Sequence, residues 1–489
     1  MQVISIYWCR KDFRLDDNPA LFNCLKESRE EDTLFLPLFI LEDYMTKGDP
    51  INQYSYTSRV LLSKILPKFA DNFTEFSVIN GKISQVLTKL SKHYNVKVYV
   101  NDDVHPDFYK QIKKIKENGL NIKVYQDSLA VDKETKTITG NYYSIFTPFK
   151  KNILAKFIDT KIILKSNPDS KINYLSKNAI EKIFNKKDLV KNTEKDILKE
   201  FKDTRLIKVG KNTIDLDGII ARPELNHVYT NEKEVLDIFK KYIKNDGLIN
   251  YKDKRDFLKN TNSNMAIALA WGLISAGILM REIKNHHADL NHLGVQTYIS
   301  ELIWREFYKY ILYHNSTVLN EEFQKKYRNK IEWRENKEAV KFFKLWVQGK
   351  TGYDIVDASM LELAKTGQMH NRSRMIVASI LTKNLGIDWR WGQEYFRSIL
   401  ADLDDASNNG GWQWSASVGS DPKPIRIFNP YTQADNYDTD REYRNKWLDK
   451  DYKLEAIIEH KQARQEALIR YGLLNNKHKD HNQHHLFSD

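Results

Sequence analysis
Short, almost wholly apolar runs alternate with amphipathic ones through the first quarter of the chain. Runs at 3–7, 33–40, 76–79, 96–100 and 122–125 carry the length and β-branched or aromatic content of buried strands. Segments such as 82–94 and 106–118 repeat their apolar residues at helical spacing between them. Strands alternating with helices predict a doubly wound parallel sheet, so residues 1–130 read as an α/β N-terminal domain. From about residue 226 the strand pattern almost vanishes. Helical periodicity at 232–242, 266–274, 279–286, 296–313 and 339–348 predicts a larger all-α domain over 226–474. Residues 131–225 read as a connector, and the polar, histidine-containing stretch 475–489 as a disordered tail.

The densest signal lies in 366–414. Met369, Ile376, Val377, Ile380 and Leu381 recur at helical spacing, with Gly367 and Gly386 as punctuation, which predicts a helix over 369–383. On it Asn371, Arg374 and Met375 fall at i, i+3 and i+4, so an amide, a guanidinium and a thioether share one face. A second helical segment, 391–400, runs into Asp402, Asp404, Asp405, Asn408, Asn409, Gly410 and Gly411, then Trp412 and Trp414. Here carboxylates and amides precede two indoles on what reads as a glycine hinge. Asp402 and Asp404 alone are a poor magnesium site, which normally needs phosphate or further oxygen ligands, and no metal is expected. Seven of the ten tryptophans lie between Trp304 and Trp414. One core seldom needs so many rings whose N–H must find a partner, so a planar aromatic ligand is the better explanation.

ELIWREFY from Glu301, TGYDIVDASM, MHNRSRM, LADLDDASNNGGWQW and RIFNP together resemble the photolyase and cryptochrome family, nearest its class I members that repair cyclobutane pyrimidine dimers. The resemblance implies light-dependent DNA repair, in which reduced, excited FAD passes an electron to a flipped-out dimer and takes it back. It implies that Tyr251 and the segment Asn262, Ser263, Asn264, Met265 and Ala266 hold FAD, with Asn262 able to cap a helix whose backbone donors meet the pyrophosphate. Only Ser263 keeps a hydroxyl there. Arg374 and Asp402 are expected to pair beside the isoalloxazine, Asp404 to accept from its imide, and Asn408 to face N5. Trp304 and Trp414 are expected to wall the dimer pocket beside Met375, with Glu301 and Asn371 contacting the pyrimidine carbonyl and imide groups. Without the resemblance, Glu301 and Arg305 read as a surface i, i+4 pair. Arg255, Arg372 and Arg426, with Glu301 and Trp304, are the expected DNA contacts. For reactivation the family uses three tryptophans in relay. Trp412 and Trp389 supply two, and the outermost position falls on Tyr327, whose oxidation must release the phenolic proton.

An optional antenna chromophore, a folate or a deazaflavin, is also implied. The acidic residue expected for a folate falls near Phe108 and the lysine near Leu319. Cys9-Arg10-Lys11-Asp12 after the first strand carries no glycine fingerprint, so no dinucleotide is held there in the Rossmann manner.

Composition narrows the partners. The net charge of +12 favours a polyanion. Residues 151–211 alone hold sixteen Lys or Arg against eight Asp or Glu, a solvated face in the simplest reading. Two cysteines are too few for a disulfide framework, and no apolar run is long enough to span a membrane. A cytoplasmic monomer acting on damaged DNA is expected. The rival readings are a cryptochrome-type blue-light receptor with little or no repair, and a flavin-free helical nucleic-acid binder, which leaves Asp402, Asp404 and Asn408 together unexplained.

Overall fold
The computed structural model describes residues 1–46, 55–159, 164–169, 171–201, 206–209, 212–216, 218–219, 222–225, 228–260, 262–286, 289–420 and 425–474. The tail 475–489 lies outside the described residues.

Five parallel strands, β1 (Val3–Cys9), β2 (Leu34–Leu41), β3 (Ser77–Asn80), β4 (Asn95–Asn101) and β5 (Asn121–Tyr125), stand in the order β5-β4-β1-β2-β3. VISIYWC and LFLPLFIL are central and covered on both faces, which is why they read as continuous apolar runs and not as alternating ones. Each observed strand lies within two residues of its expected bounds. A sixth strand, β6 (Leu189–Val190), joins antiparallel to β3, so the lysine-rich stretch contributes an edge of this sheet. Residues of the same stretch form a small hairpin, β7 (Leu206–Val209) and β8 (Asn212–Asp215).

The chain winds outward from β1 to β3, then returns to start β4 on the other side of β1. This reversal opens a crevice at the carboxyl ends of β1 and β4, where ligands of open α/β sheets bind.

Beyond residue 231 the described elements are helices. Four position the site: α1 (Leu293–His314), α2 (Asn371–Ser379), α3 (Trp389–Ile399) and α4 (Asp405–Ser415). α2 is shorter than the expected 369–383, because His370 caps it, its Nδ1 accepting from the Arg372 N–H at 3.1 Å. Its C-terminus widens into a π turn, Ile380–Asn384. The glycine hinge is corrected outright. Asp404 caps α4 through the Ser407 N–H (2.8 Å), and Asn-Asn-Gly-Gly lies inside the helix. Gly410 is there because a Cβ would stand 2.0 Å from the Tyr308 ring. Among the described residues no helix is long and apolar enough to cross a membrane, and no cluster of metal-ligating side chains occurs.

Candidate functional site
α2 is tied to the segment between α3 and α4 by an ion pair, Arg374 Nη2 to Asp402 Oδ2 at 2.7 Å, while Arg374 Nε donates to the Met369 carbonyl at 2.9 Å. The guanidinium is thus fixed at both ends. Asp404 is the cap of α4. Burial alone would raise its pKa, but Lys309 (Nζ to Oδ2 3.8 Å), Arg305 and the Ser407 N–H outweigh burial and hold it below the usual carboxylate range. Lys309 is lowered in turn by its own burial. Asn408, one turn into α4, donates from Nδ2 to the Gln393 carbonyl at 3.1 Å, which fixes its amide with Oδ1 directed away as an acceptor.

Among the atoms buried here with no hydrogen-bond partner are Asp402 Oδ1, Asn408 Oδ1 and Trp412 Nε1. Buried polar atoms are nearly always paired, so the two acceptors, each on a side chain fixed at its other end, await a polar ligand. Two buried acceptors of this kind suit the edge of a flavin ring that carries N–H groups. The residues present therefore fit FAD.

Tyr251, Asn262, Ser263 and Asn264 line one cavity of about 560 Å³ together with Lys254 and Arg255. Ser263 Oγ accepts from the Tyr298 hydroxyl at 2.9 Å, and the Tyr251 ring packs edge-on against Tyr298 at 5.1 Å. The expected cap is corrected. The helix here begins at Met265, and Asn264, in the left-handed region at φ 57°, takes the cap position without a side-chain bond. Asn262 therefore caps nothing, Met265 is buried in the core and the side chain of Ala266 is exposed.

Glu301 on α1 does not pair with Arg305. It accepts from Arg255 Nη1 at 2.5 Å, and Arg305 turns to the fully buried Glu306 at 3.0 Å. Trp304 is half-buried with Phe146 stacked on it at 3.5 Å and 5°, and the Arg426 guanidinium lies 5.1 Å over the half-buried Trp414. Asn371 is exposed and reaches Met375 Sδ at 3.8 Å, one turn along α2. Arg372 binds Asp256 at 2.7 Å and lies 4.2 Å over the Tyr437 ring. Each expected DNA-contacting arginine thus already has a carboxylate or an aromatic face beside it.

Trp412 and Trp389 sit in one buried aromatic core, with Tyr327 half-buried against it. Trp412 packs edge-on to Phe396 at 5.0 Å and lies across Gly392, one turn from Trp389, where a Cβ would stand 2.0 Å from its ring. The Tyr471 ring is edge-on to Tyr327 at 6.1 Å and to Trp333 at 6.2 Å.

Gln393, Asn409, Gln413, Lys309 and Phe146 support this site and were missed by the sequence reading. An amide at every fourth residue of Asn409 and Gln413, beside the indoles, was the available signal.

A second cavity, of about 840 Å³, opens at the crevice between β1 and β4, lined by Trp8, Arg10, Glu42, Asn101 and Phe108 on the sheet side and reaching Asp404 on the other. Phe108 offers a buried ring under the Arg10 guanidinium (4.7 Å), not a carboxylate, and Leu319 packs half-buried on the core.

Residues 5–168 match the family described as DNA photolyase, and residues 298–478 the FAD binding domain of DNA photolyase. A deoxyribodipyrimidine photo-lyase of Vibrio cholerae is 30% identical over 91% of this chain and 90% of its own. A bacterial class III photolyase from Agrobacterium tumefaciens superposes with TM-score 0.75 at 26% identity, covering 96% of this chain and 97% of the other. A cryptochrome from Synechocystis sp. PCC6803 superposes with TM-score 0.76 at 22% identity, over 97% and 100% of the two chains, a likeness of fold alone. The fold and site define an FAD-binding protein of the light-driven class. The chain belongs to the DNA photolyase family.

Proposed function
We propose that this protein is a deoxyribodipyrimidine photo-lyase, which uses light to split cyclobutane pyrimidine dimers in DNA. The observation that carries the reading is the pair of buried, partnerless acceptors Asp402 Oδ1 and Asn408 Oδ1 on side chains otherwise fixed by Arg374 and the Gln393 carbonyl. FAD, when bound, supplies the photoexcited electron that opens the cyclobutane ring, and receives it back.

The protein's part is binding, orientation and exclusion of water. Arg374 and Asp402 form the charged pair beside the ring, and Asp404, kept ionised by Lys309 and Arg305, accepts from the imide N–H. The Gln393 carbonyl turns Asn408 Oδ1 into an acceptor for a protonated ring nitrogen, without burying a further charge. Tyr251, Asn262, Ser263 and Asn264 bound the side of the cofactor pocket, where Ser263 retains its own hydroxyl proton to donate.

The dimer leaves the helix at a cost of about a few kcal/mol, least where pairing is already damaged. Trp304 and Trp414 receive it, beside Met375. Phe146 locks the Trp304 ring in plane. Glu301 and Asn371 bind the pyrimidine carbonyl and imide groups, and Arg255 orients Glu301 from behind. Arg255, Arg372 and Arg426 contact phosphates by exchanging or sharing their present partners. Trp412, Trp389 and Tyr327 carry electrons inward when the cofactor is oxidised. The crevice cavity holds the optional antenna chromophore, a folate or a deazaflavin.

Glu301→Ala should lower repair per absorbed photon while flavin content stays normal. Equal repair in both chains would remove Glu301 from the mechanism.

A further inference from the structure
Two of the buried indoles donate their N–H to a neutral backbone carbonyl. Trp271 donates to the Ala401 carbonyl at 3.0 Å and Trp346 to the Val377 carbonyl at 3.1 Å. Trp389, fully buried, instead donates to a carboxylate, Glu322 Oε1 at 3.4 Å, and Glu322 is itself only 3% exposed. An indole needs a single acceptor, and a neutral carbonyl would serve. A buried carboxylate costs several kcal/mol of desolvation unless paired, so packing does not explain the choice.

The carboxylate is paired, and the pairing is built. Arg390 Nη2 reaches Glu322 Oε1 at 3.0 Å, Nη1 holds Asp388 at 3.0 and 3.1 Å, and Nε donates to the Asn320 carbonyl at 2.8 Å. Its guanidinium stands 4.6 Å over the Trp389 ring. The chain on either side of Glu322 is clamped to α4. Gln413 donates to the Val318 and Glu321 carbonyls (2.8 and 3.1 Å) and accepts from the Phe323 N–H (2.7 Å), while Asn409 also holds Val318 O at 2.8 Å. The helix that carries Trp412 therefore also sets the position of the Glu322 carboxylate against Trp389.

We propose that Glu322 takes the indole proton of Trp389 when that ring is oxidised, an inference that rests on the relay reading above. The electron leaves Trp389 for the Trp412 radical cation, itself formed by loss of an electron to bound, photoexcited, oxidised flavin, and Trp412 becomes neutral. The Nε1–H bond breaks and the proton passes to Glu322 Oε1, leaving a neutral indolyl radical and a neutral carboxylic acid. Tyr327 then gives an electron to Trp389, the proton returns from Glu322 to Nε1, and the phenolic proton of Tyr327 goes to water. Charge and protons balance at each stage.

The environment favours this course. One-electron oxidation makes an indole N–H about as acidic as a carboxylic acid. A guanidinium over the ring face, attractive to a neutral indole, opposes a cation there. Trp412 Nε1 has no partner to receive its proton, so oxidised Trp412 stays a cation and pulls the electron from Trp389. Return of that electron to Trp389 then requires the proton to come back first, which lengthens the life of the separated charges.

The test is flash absorption on FAD-loaded protein in a Tyr327→Phe background, where the oxidised ring is held at Trp389. Protonated and neutral indole radicals absorb at different wavelengths. The neutral band should grow in as the protonated band falls, more slowly in D2O than in H2O. Glu322→Gln should lose the neutral band and shorten the charge-separated lifetime, and Glu322→Asp should restore part of both. The same protonated band with and without the Glu322→Gln change, or no solvent isotope effect in the Tyr327→Phe chain itself, overturns the proposal. Trp389→Phe separates the two readings. If the long-lived indole signal survives that change, the relay reading fails; if it disappears while Glu322→Gln changes nothing, only the role of Glu322 fails.

Discussion

His370 illustrates how much one side chain decides. Burial, chiefly, pushes its pKa down to about 4, with Arg372 and Arg374 acting in the same direction and Asp256 against. The neutral ring caps α2 through Nδ1, and Nε2 is buried without a partner. Protonation would set a donor against the Arg372 N–H. Since the folded value lies below the ordinary one of about 6.5, the stability contributed by neutral His370 is complete above that pH and is lost as the pH falls towards 4. The loss should be on the order of 1–3 kcal/mol. His370→Asn keeps a capping oxygen at every pH, so melting temperatures measured from pH 7 to 4 should fall less steeply than in the native chain. Parallel curves would show that the ring titrates without consequence for the fold. At this scale the ion pair of the site was legible: Arg374 and Asp402 form the pair that was expected of them. Partners distant in sequence were not. Glu301 chose Arg255, 46 residues away, over Arg305 on its own helix, because Arg305 is needed by the buried Glu306.

At the scale of elements, α4 meets α3 and α1 through missing side chains. Gly392 leaves room for the Trp412 ring and Gly410 for the Tyr308 ring, each at 2.0 Å from where a Cβ would be. Two helices cannot yield separately, so Gly392→Ala should cost about 1–3 kcal/mol by overpacking. It should also displace Trp412 and lower the yield of photoreduction, measured as flavin reduced per photon under external donor. Gly410→Ala should cost similar stability and spare that yield. Equal yields in the two variants would mean that Trp412 is not held by this contact. Gly410, which makes the packing close, is one of the two glycines the sequence presents as a hinge, since glycine disfavours a helix by about 1 kcal/mol. What overrides that preference is the Asp404 cap together with the fit against α1, and the second of these has no local pattern. The strands, by contrast, were legible to within two residues, because burial on both faces writes itself into every position.

Over the whole molecule, alternation of strands and helices disclosed the sheet, and loss of that alternation disclosed the helical region. β6 was invisible: two residues, Leu189 and Val190, reach an edge strand more than a hundred positions earlier in the chain. The site likewise draws on segments from Tyr251 to Trp414, so its assembly should be coupled to the ligand. With FAD free at about a hundredfold its Kd, unfolding free energy should rise by about 2.7 kcal/mol, seen as a higher melting temperature. No shift would argue against a formed pocket.

The central claim is that this pocket holds FAD for the splitting of pyrimidine dimers. The direct measurement is blue illumination of the reduced, FAD-loaded protein with DNA carrying a thymine dimer, scored as thymines restored per photon absorbed. The account predicts restoration that requires light, reduced flavin and the native Trp304 and Trp414. Dimers left intact by a protein that binds reduced flavin and absorbs the light would contradict it.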